Sequence, residues 1–321
     1  MNSNIRKIVS FISANIFNFD KYFSKKNKCD KVNSLNIFIV GPPRSGSTIL
    51  YEYCISKYEL DYTINIEYFL YKNLYFALTV KKFFEKFFKH KIQYSSNQGL
   101  IAGLMGPSEN SRFWEDYFSL SLNLNRRNQK LNKKYAIGYL NHRSIKIKKP
   151  MIHSWNAHIF YIDELKKVFS DCVFLIIIRN PIEIASSILE ARLRINNDIE
   201  IPWSYMPNEC SKIKNPIEQA ALQAVLFIKY SLLLHASDER SVLISYENFC
   251  ENYETIIKRA FKTLDINNII IPRNEVKSKD VIVKKNEKRL YDDELKKFVD
   301  SYLIKYEISQ TNLNKIISRL K

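Results

Sequence analysis

What the chain lacks narrows its function before any motif is read. Its five cysteines (Cys29, Cys54, Cys172, Cys210 and Cys250) are widely spaced and form no CxxC pair. Neither a zinc site nor a dense disulfide framework is indicated. Reduced thiols are the simplest reading, with Cys54 and Cys172 expected in the core and a cytoplasmic location expected with them. No apolar run reaches the length of a membrane span. Residues Ile8 to Phe23 are moderately apolar, but Asn15, Asn18, Asp20 and Lys21 interrupt them. They also lack the small-residue cleavage site of a signal peptide. A short amphipathic helix that packs on the core is the favoured reading there, with docking on a membrane surface second. No solenoid-period repeat occurs. No basic block is interleaved with aromatics, which argues against nucleic acid as the primary ligand.

Glycine is also scarce, at six in 321 residues. With the richness in Lys, Asn, Ile and Tyr this matches an AT-rich coding bias, so single Lys or Asn residues carry little weight. What is present is a core and a charge. Apolar residues make up 46% of the chain, enough for a sizeable buried interior. The net charge is +17, which favours an anionic partner such as a phosphorylated cofactor, an acidic glycan or a membrane surface. Solvated lysines on helix faces account for most of that excess.

The pattern alternates strand and helix. Asn36 to Val40 is a short apolar run ending at Gly41-Pro42-Pro43, and Thr48, Ile49, Leu50, Tyr53 and Cys54 then recur at helical spacing. Tyr62 to Ile66 alternates and reads as a second strand. Phe69 to Ile92 reads as helical. Half of the glycines, Gly99, Gly103 and Gly106, fall in a loop over Ser95 to Asn110, and Asn123 to Lys134 reads as a polar surface insertion. Val173 to Ile178 is the clearest buried strand. Helical patterns follow over Ile184 to Leu193 and Ile217 to Leu234, then a strand over Val242 to Ser245, then a helix to Leu264. The expected fold is α/β: residues 1–34 as an N-terminal amphipathic extension, and residues 35–321 as a single P-loop-like domain. Its central sheet is mostly parallel and flanked by helices, with a helical insertion on the acceptor side near residues 68–135. Such sheets bind ligands at the carboxyl ends of their strands.

Two segments fall at such ends. Gly41-Pro42-Pro43-Arg44-Ser45-Gly46-Ser47-Thr48 reads as G-x-x-x-x-G-S-T between a strand and a helix. Glycines allow close backbone approach, and amide donors at a helix start cradle an anion. The Walker A pattern needs Lys where Ser47 stands, so the charge that reaches β- and γ-phosphates is missing and Arg44 supplies a cation earlier in the loop. The strand Phe174 to Ile178 ends in Arg179, where an ATPase usually places a magnesium-holding Asp. The site thus reads as one that holds anions without a metal. Eight positions after Arg179 comes Ser187, about two helical turns on. The pair can hold a second phosphate through a guanidinium and a hydroxyl.

Together the two segments resemble the sulfotransferase superfamily, in particular a bacterial branch. FIVGPPRSGSTIL resembles its 5′-phosphosulfate loop, VFLIIIRNPIEIASS its 3′-phosphate motif, and ISYENFCENYE the segment whose Tyr contacts the nucleotide. GPSENSRFWEDYF, PWSYMPNEC and PIEQAALQAV support the likeness, which spans most of residues 35–265. The resemblance implies sulfuryl transfer from 3′-phosphoadenosine 5′-phosphosulfate (PAPS) to a hydroxyl, leaving the bisphosphate PAP. Gly41, Pro43, Arg44, Ser45, Gly46, Ser47 and Thr48 would hold the 5′-phosphosulfate. Arg179 and Ser187 would hold the 3′-phosphate, and Tyr246 would face the adenosine. Lys277 to Asn286 faintly resembles the segment that closes over the nucleotide.

Sulfuryl transfer needs a base near the acceptor hydroxyl and donors on the sulfuryl and leaving oxygens. Glu109, before an aromatic helix, is the favoured base, with Glu67 second and Arg44 as a catalytic cation. The related branch usually carries Lys where this chain has His153, which would have to act protonated or as a base. Arg192 and Arg194 either face an acidic acceptor or lie on solvated surface. Two other functions stay open: a non-catalytic PAP-binding protein and a P-loop kinase or NTPase.

Overall fold

The computed structural model of the protein describes residues 29–87, 96–97, 100–101, 103–120, 132–273 and 291–319. The N-terminal amphipathic segment, most of the polar insertion near 123–134 and the Lys277 to Asn286 segment lie outside the described residues. In chain order the elements are β1 (Val32–Val40), α1 (Ser47–Lys57), α2 (Asn65–Phe69), α3 (Leu74–Phe87), a small hairpin β2 (Ser96–Asn97) and β3 (Leu100–Ile101), and α4 (Ser111–Phe118). Then come α5 (Lys133–Ile147), β4 (Met151–Ser154), a 3₁₀ turn (Asn156–Phe160), α6 (Ile162–Val168), β5 (Phe169–Ile178), α7 (Pro181–Asn196), α8 (Asn208–Ser211) and α9 (Pro216–Ser237). The chain closes with β6 (Ser241–Ser245), α10 (Tyr246–Glu251), α11 (Tyr253–Thr263), α12 (Asp292–Lys305) and α13 (Gln310–Arg319).

The fold is α/β, with helices flanking a four-stranded parallel sheet of order β4-β1-β5-β6. The β5–β6 register sets Ile177 opposite Ile244 and Ile178 opposite Ser245, so Arg179 and Tyr246 leave neighbouring strands at the same level. Both strands are continuous apolar runs because both sheet faces are covered. The described chain divides into two compact units. One comprises residues up to Phe38, Tyr51–Trp155 and Tyr161–Cys172; the other comprises Ile39–Leu50, Asn156–Phe160 and the chain from Val173 on.

In the second unit, α7 and α9 start from the same tetrapeptide, Asn-Pro-Ile-Glu. Asn180 Oδ1 accepts the N–H groups of Ile182 and Glu183, and Asn215 Oδ1 those of Ile217 and Glu218. Each proline sits at the first helical position, where no amide hydrogen is needed. Contrary to the sequence reading, α9 is long and apolar enough to cross a membrane. Its apolarity serves packing instead: Ala220, Ala221, Ala224, Val225, Phe227 and Ile228 are fully buried, and the helix packs on α7 and α12. Losing a side chain like Phe227 there costs about 3–5 kcal/mol.

In the first unit, Tyr62 to Ile66 is not a strand. Only isolated bridges form, Asp61 with Met151 and Ile64 with Pro107, and a helical turn starts at Asn65. The reason is a polar cluster that alternation cannot reveal. Glu67 Oε2 accepts the Ile64 N–H at 3.0 Å and so starts α2. Buried Arg143 binds Glu67 Oε1 and both oxygens of Asp61, while Lys81 Nζ donates to Asp61 Oδ1 at 2.8 Å. Two buried cations therefore face two buried carboxylates. Burial opposes ionisation of Asp61, but Arg143 and Lys81 outweigh it and hold that carboxyl well below the usual range. Of the two cysteines expected in the core, Cys54 is buried and Cys172 only partly so; all five are free thiols.

Candidate nucleotide-binding site

The loop after β1 is built from residues that have few alternatives. Gly41 has φ +138°, and a Cβ there would lie 2.2 Å from the Ile177 carbonyl oxygen. Gly46 has φ +98°, and a Cβ there would lie 2.4 Å from the Tyr246 ring. Only glycine fits at either point. Ser45 is fully buried and its hydroxyl donates to Pro42 O at 2.7 Å, so it braces the loop from inside. Ser47 and Thr48 open α1, whose first N–H groups have no partner within the helix and are available to an anion.

Arg44 takes a left-handed conformation, φ 66°, that carries its side chain onto α7. Its Nε donates to Ser187 Oγ at 2.9 Å, and its guanidinium lies 5.8 Å from the centre of the Trp203 ring. Burial lowers its pKa; Glu190 opposes this, while Arg194 and Arg179 add to it. Arg179 donates from Nε to Glu183 Oε2 at 2.7 Å and lies over the Tyr246 ring at 4.6 Å. Burial pushes the Tyr246 hydroxyl up to about 12, helped by Cys250, so it is a neutral donor at neutral pH. Glu183, Ser187, Glu190 and Arg194 recur at helical spacing along one stripe of α7. The structure thus brings Gly41, Gly46, Arg44, Arg179, Ser187 and Tyr246 together within one unit. Trp203, Glu183 and Glu190 join them without a role foreseen from sequence. For Glu183 a signal was present, since an i,i+4 Arg–Glu pair across an Asn-Pro cap is legible once the cap is recognised.

The remaining candidates belong to the other unit. His153 is 4% exposed, stacks on Phe38 at 4.7 Å and shares a 2.9 Å hydrogen bond between Nε2 and Asn36 Oδ1. The Asn36 amide nitrogen is already used on Ser34 O at 2.7 Å, so its oxygen faces the ring and Nε2 carries the proton. Burial, with Arg143 adding and Asp61 opposing, pushes His153 down to about 3, so it is neutral at pH 7. A protonated, phosphate-bridging His153 is therefore strongly disfavoured. Glu67 is 1% exposed, with Oε1 on Arg143 and Tyr139 and Oε2 on the Ile64 amide. Glu109 differs from both. Its side chain keeps solvent access, yet protein surrounds it deeply enough for desolvation to raise its carboxyl to about 7. Its backbone is pinned between the Ser108–Thr63 hydrogen bonds and the turn at Asn110.

Of the two arginines that follow Ser187 on α7, Arg194 is exposed and Arg192 is not. Arg192 is fully buried, donates to Ile199 O at 3.1 Å and meets Gln223 Oε1 at 3.5 Å. Gln223 in turn donates to Tyr205 O at 2.6 Å. Arg192 thus ties the segment carrying Trp203 to α7 and α9.

The sulfotransferase family profile matches residues 36–268, most of the chain. No functionally curated protein matches the sequence. Among solved structures, a sulfotransferase from Mycobacterium avium aligns at 12% identity with a TM-score of 0.51, covering 90% of this chain and 80% of that one. A sulfotransferase from Mycobacterium tuberculosis aligns at 9% identity with a TM-score of 0.46, covering 98% and 82%. A loop with Ser47 in the lysine position, Arg179 closing the neighbouring strand β5, and a family match across both lead to one assignment: the chain belongs to the sulfotransferase family.

Proposed function

We propose that the protein transfers a sulfuryl group from PAPS to a hydroxyl on a glycan, lipid or small metabolite. The observation that carries this reading is the pair of linked anion cradles in one unit. Arg44 of the glycine loop bonds Ser187 of α7, and Arg179 at the head of the same helix stacks on Tyr246. A nucleotide phosphorylated at both 5′ and 3′ positions matches two cradles; ADP and ATP match one. PAPS brings the activated sulfuryl group. The chain's amides at the start of α1, with Ser47, Thr48 and Arg44, hold the 5′ end and stabilise charge on the leaving oxygen. Arg179 and Ser187 hold the 3′-phosphate, and Tyr246 supports Arg179 from its face.

Glu109 is the base we assign. Its carboxyl, raised to about 7, has solvent access and no hydrogen-bond or ion-pair partner among the described residues. A base poised near the working pH both exists as carboxylate and accepts a proton readily. Glu67 is spent on the Arg143 cluster and His153 on Asn36, so both are assigned to holding the fold.

Thermal stabilisation by PAP, ADP and ATP tests the reading. PAP is expected to raise Tm clearly more than ADP. Arg179→Ala should remove the gap, because a charge-assisted phosphate contact is worth about 1.5–3 kcal/mol, roughly 10–100-fold in affinity. Equal shifts for PAP and ADP in the unaltered protein refute the two-cradle reading. Phosphoryl transfer from Mg-ATP would instead mark a kinase, and PAP binding with no sulfate incorporated into any acceptor pool would mark a binding module.

A further inference from the structure

The stripe on α7 carries carboxylates where an anion site gains nothing from them. Arg179 and Glu183 form an ion pair at 2.7 Å, with side chains only 17% and 26% exposed, so solvent screens it less than a surface pair. One turn further on, Ser187 receives Arg44, and Glu190 is the negative charge that opposes the lowering of the Arg44 pKa. Two guanidinium groups therefore lie on a helix face that already supplies two counter-charges.

We propose that Glu183 is an internal competitor for the nucleotide's 3′-phosphate. It bonds the Nε edge of Arg179, and so weakens the site's hold on that phosphate and speeds release of the bisphosphate product. This rests on the reading that Arg179 receives the 3′-phosphate. The Tyr246 ring lies against the guanidinium of Arg179, and the end of β5 fixes its backbone. A phosphate on Arg179 must use the remaining nitrogens, which leaves it one guanidinium away from a carboxylate. Two anions sharing one part-buried cation repel. The other role open to Glu183 is to aim Arg179, but Tyr246 and the strand end already do that. The Glu183 backbone is held by the cap of α7, where its N–H donates to Asn180 Oδ1, and its carboxylate is placed by the 2.7 Å bond from Arg179.

The test is calorimetric binding of PAP and of ADP, with stopped-flow release of PAP, on the unaltered protein, Glu183→Gln, Glu183→Asp and Arg179→Ala. Glu183→Gln keeps the shape and removes the charge, and is expected to bind PAP roughly five- to tenfold tighter and release it correspondingly more slowly. ADP affinity should stay within about twofold, since ADP has no group for Arg179. Glu183→Asp withdraws the charge by one methylene and should fall between. If Arg179→Ala leaves PAP and ADP as they were, the assignment of Arg179 to the 3′-phosphate is wrong. If Arg179→Ala selectively loses PAP but Glu183→Gln binds PAP no tighter, or more weakly, Glu183 is an aiming residue and the competitor role is refuted.

Discussion

Glu52 lies on α1, the helix that follows the glycine loop Gly41 to Gly46. The residue is 8% exposed, and Oε1 is enclosed without a hydrogen-bond partner among the described residues. Burial raises its pKa from an ordinary 4.5 to about 7. The sign of the linkage follows from that direction. A carboxyl whose folded pKa is raised leaves stability intact below about 4.5, erodes it between about 4.5 and 7, and reaches its full cost above that. At 1.36 kcal/mol per pH unit the full cost is roughly 3 kcal/mol. Only Oε1 is fully enclosed, so about 1.5–3 kcal/mol is the range to expect. Glu52→Gln keeps the shape and removes the charge. Urea unfolding should show the variant more stable by that amount at about pH 8 and nearly unchanged at about pH 5, with the m-value constant. A gain equal at both pH values, or a loss at about pH 8, would show that the carboxylate is the native form and that burial has been misjudged.

Two further outcomes follow from the site. Gly46→Ala forces a Cβ to within 2.4 Å of the Tyr246 ring at φ +98°. It should cost about 1–3 kcal/mol of stability and weaken PAP binding at least as much as Tyr246→Leu, read by Tm and calorimetry; a wild-type PAP affinity would uncouple the loop from Tyr246. Glu109→Gln should lower sulfate incorporation from PAPS by roughly 10²–10⁴-fold without changing PAP affinity. In the unaltered protein turnover should rise as pH increases through about 7, because the base works as the carboxylate. An unchanged rate in Glu109→Gln, with a lost rate in Glu67→Gln, would move the base to Glu67.

Strands β1, β5 and β6 and helices α7 and α9 were legible because continuous apolar runs and 3.6-residue periodicity are local properties. The stretch Tyr62 to Ile66 was misread because its alternation is incidental. Glu67 caps a helix there, and its partners Tyr139 and Arg143 lie 72 and 76 residues away in sequence. His153 looked like a reactive histidine at a lysine position. Its neutrality comes from burial, to which Phe38 and Trp114 contribute, and from Arg143, contacts that no spacing rule links to it. Arg192 and Arg194 looked alike in sequence, and two positions on a helix put one in the interior and the other in solvent.

The sequence by itself determined the loop Gly41 to Thr48, the absence of a Walker lysine, and Arg179 and Ser187 two turns apart, because each is a matter of residue identity at short range. The tertiary structure decided what those residues touch. The parallel register of β5 and β6 puts Arg179 beside Tyr246, Gly46 exists to admit that ring, and Arg44 reaches 143 residues along the chain to Ser187. A charged side chain's partner is set by which strands lie side by side, and no local pattern encodes that.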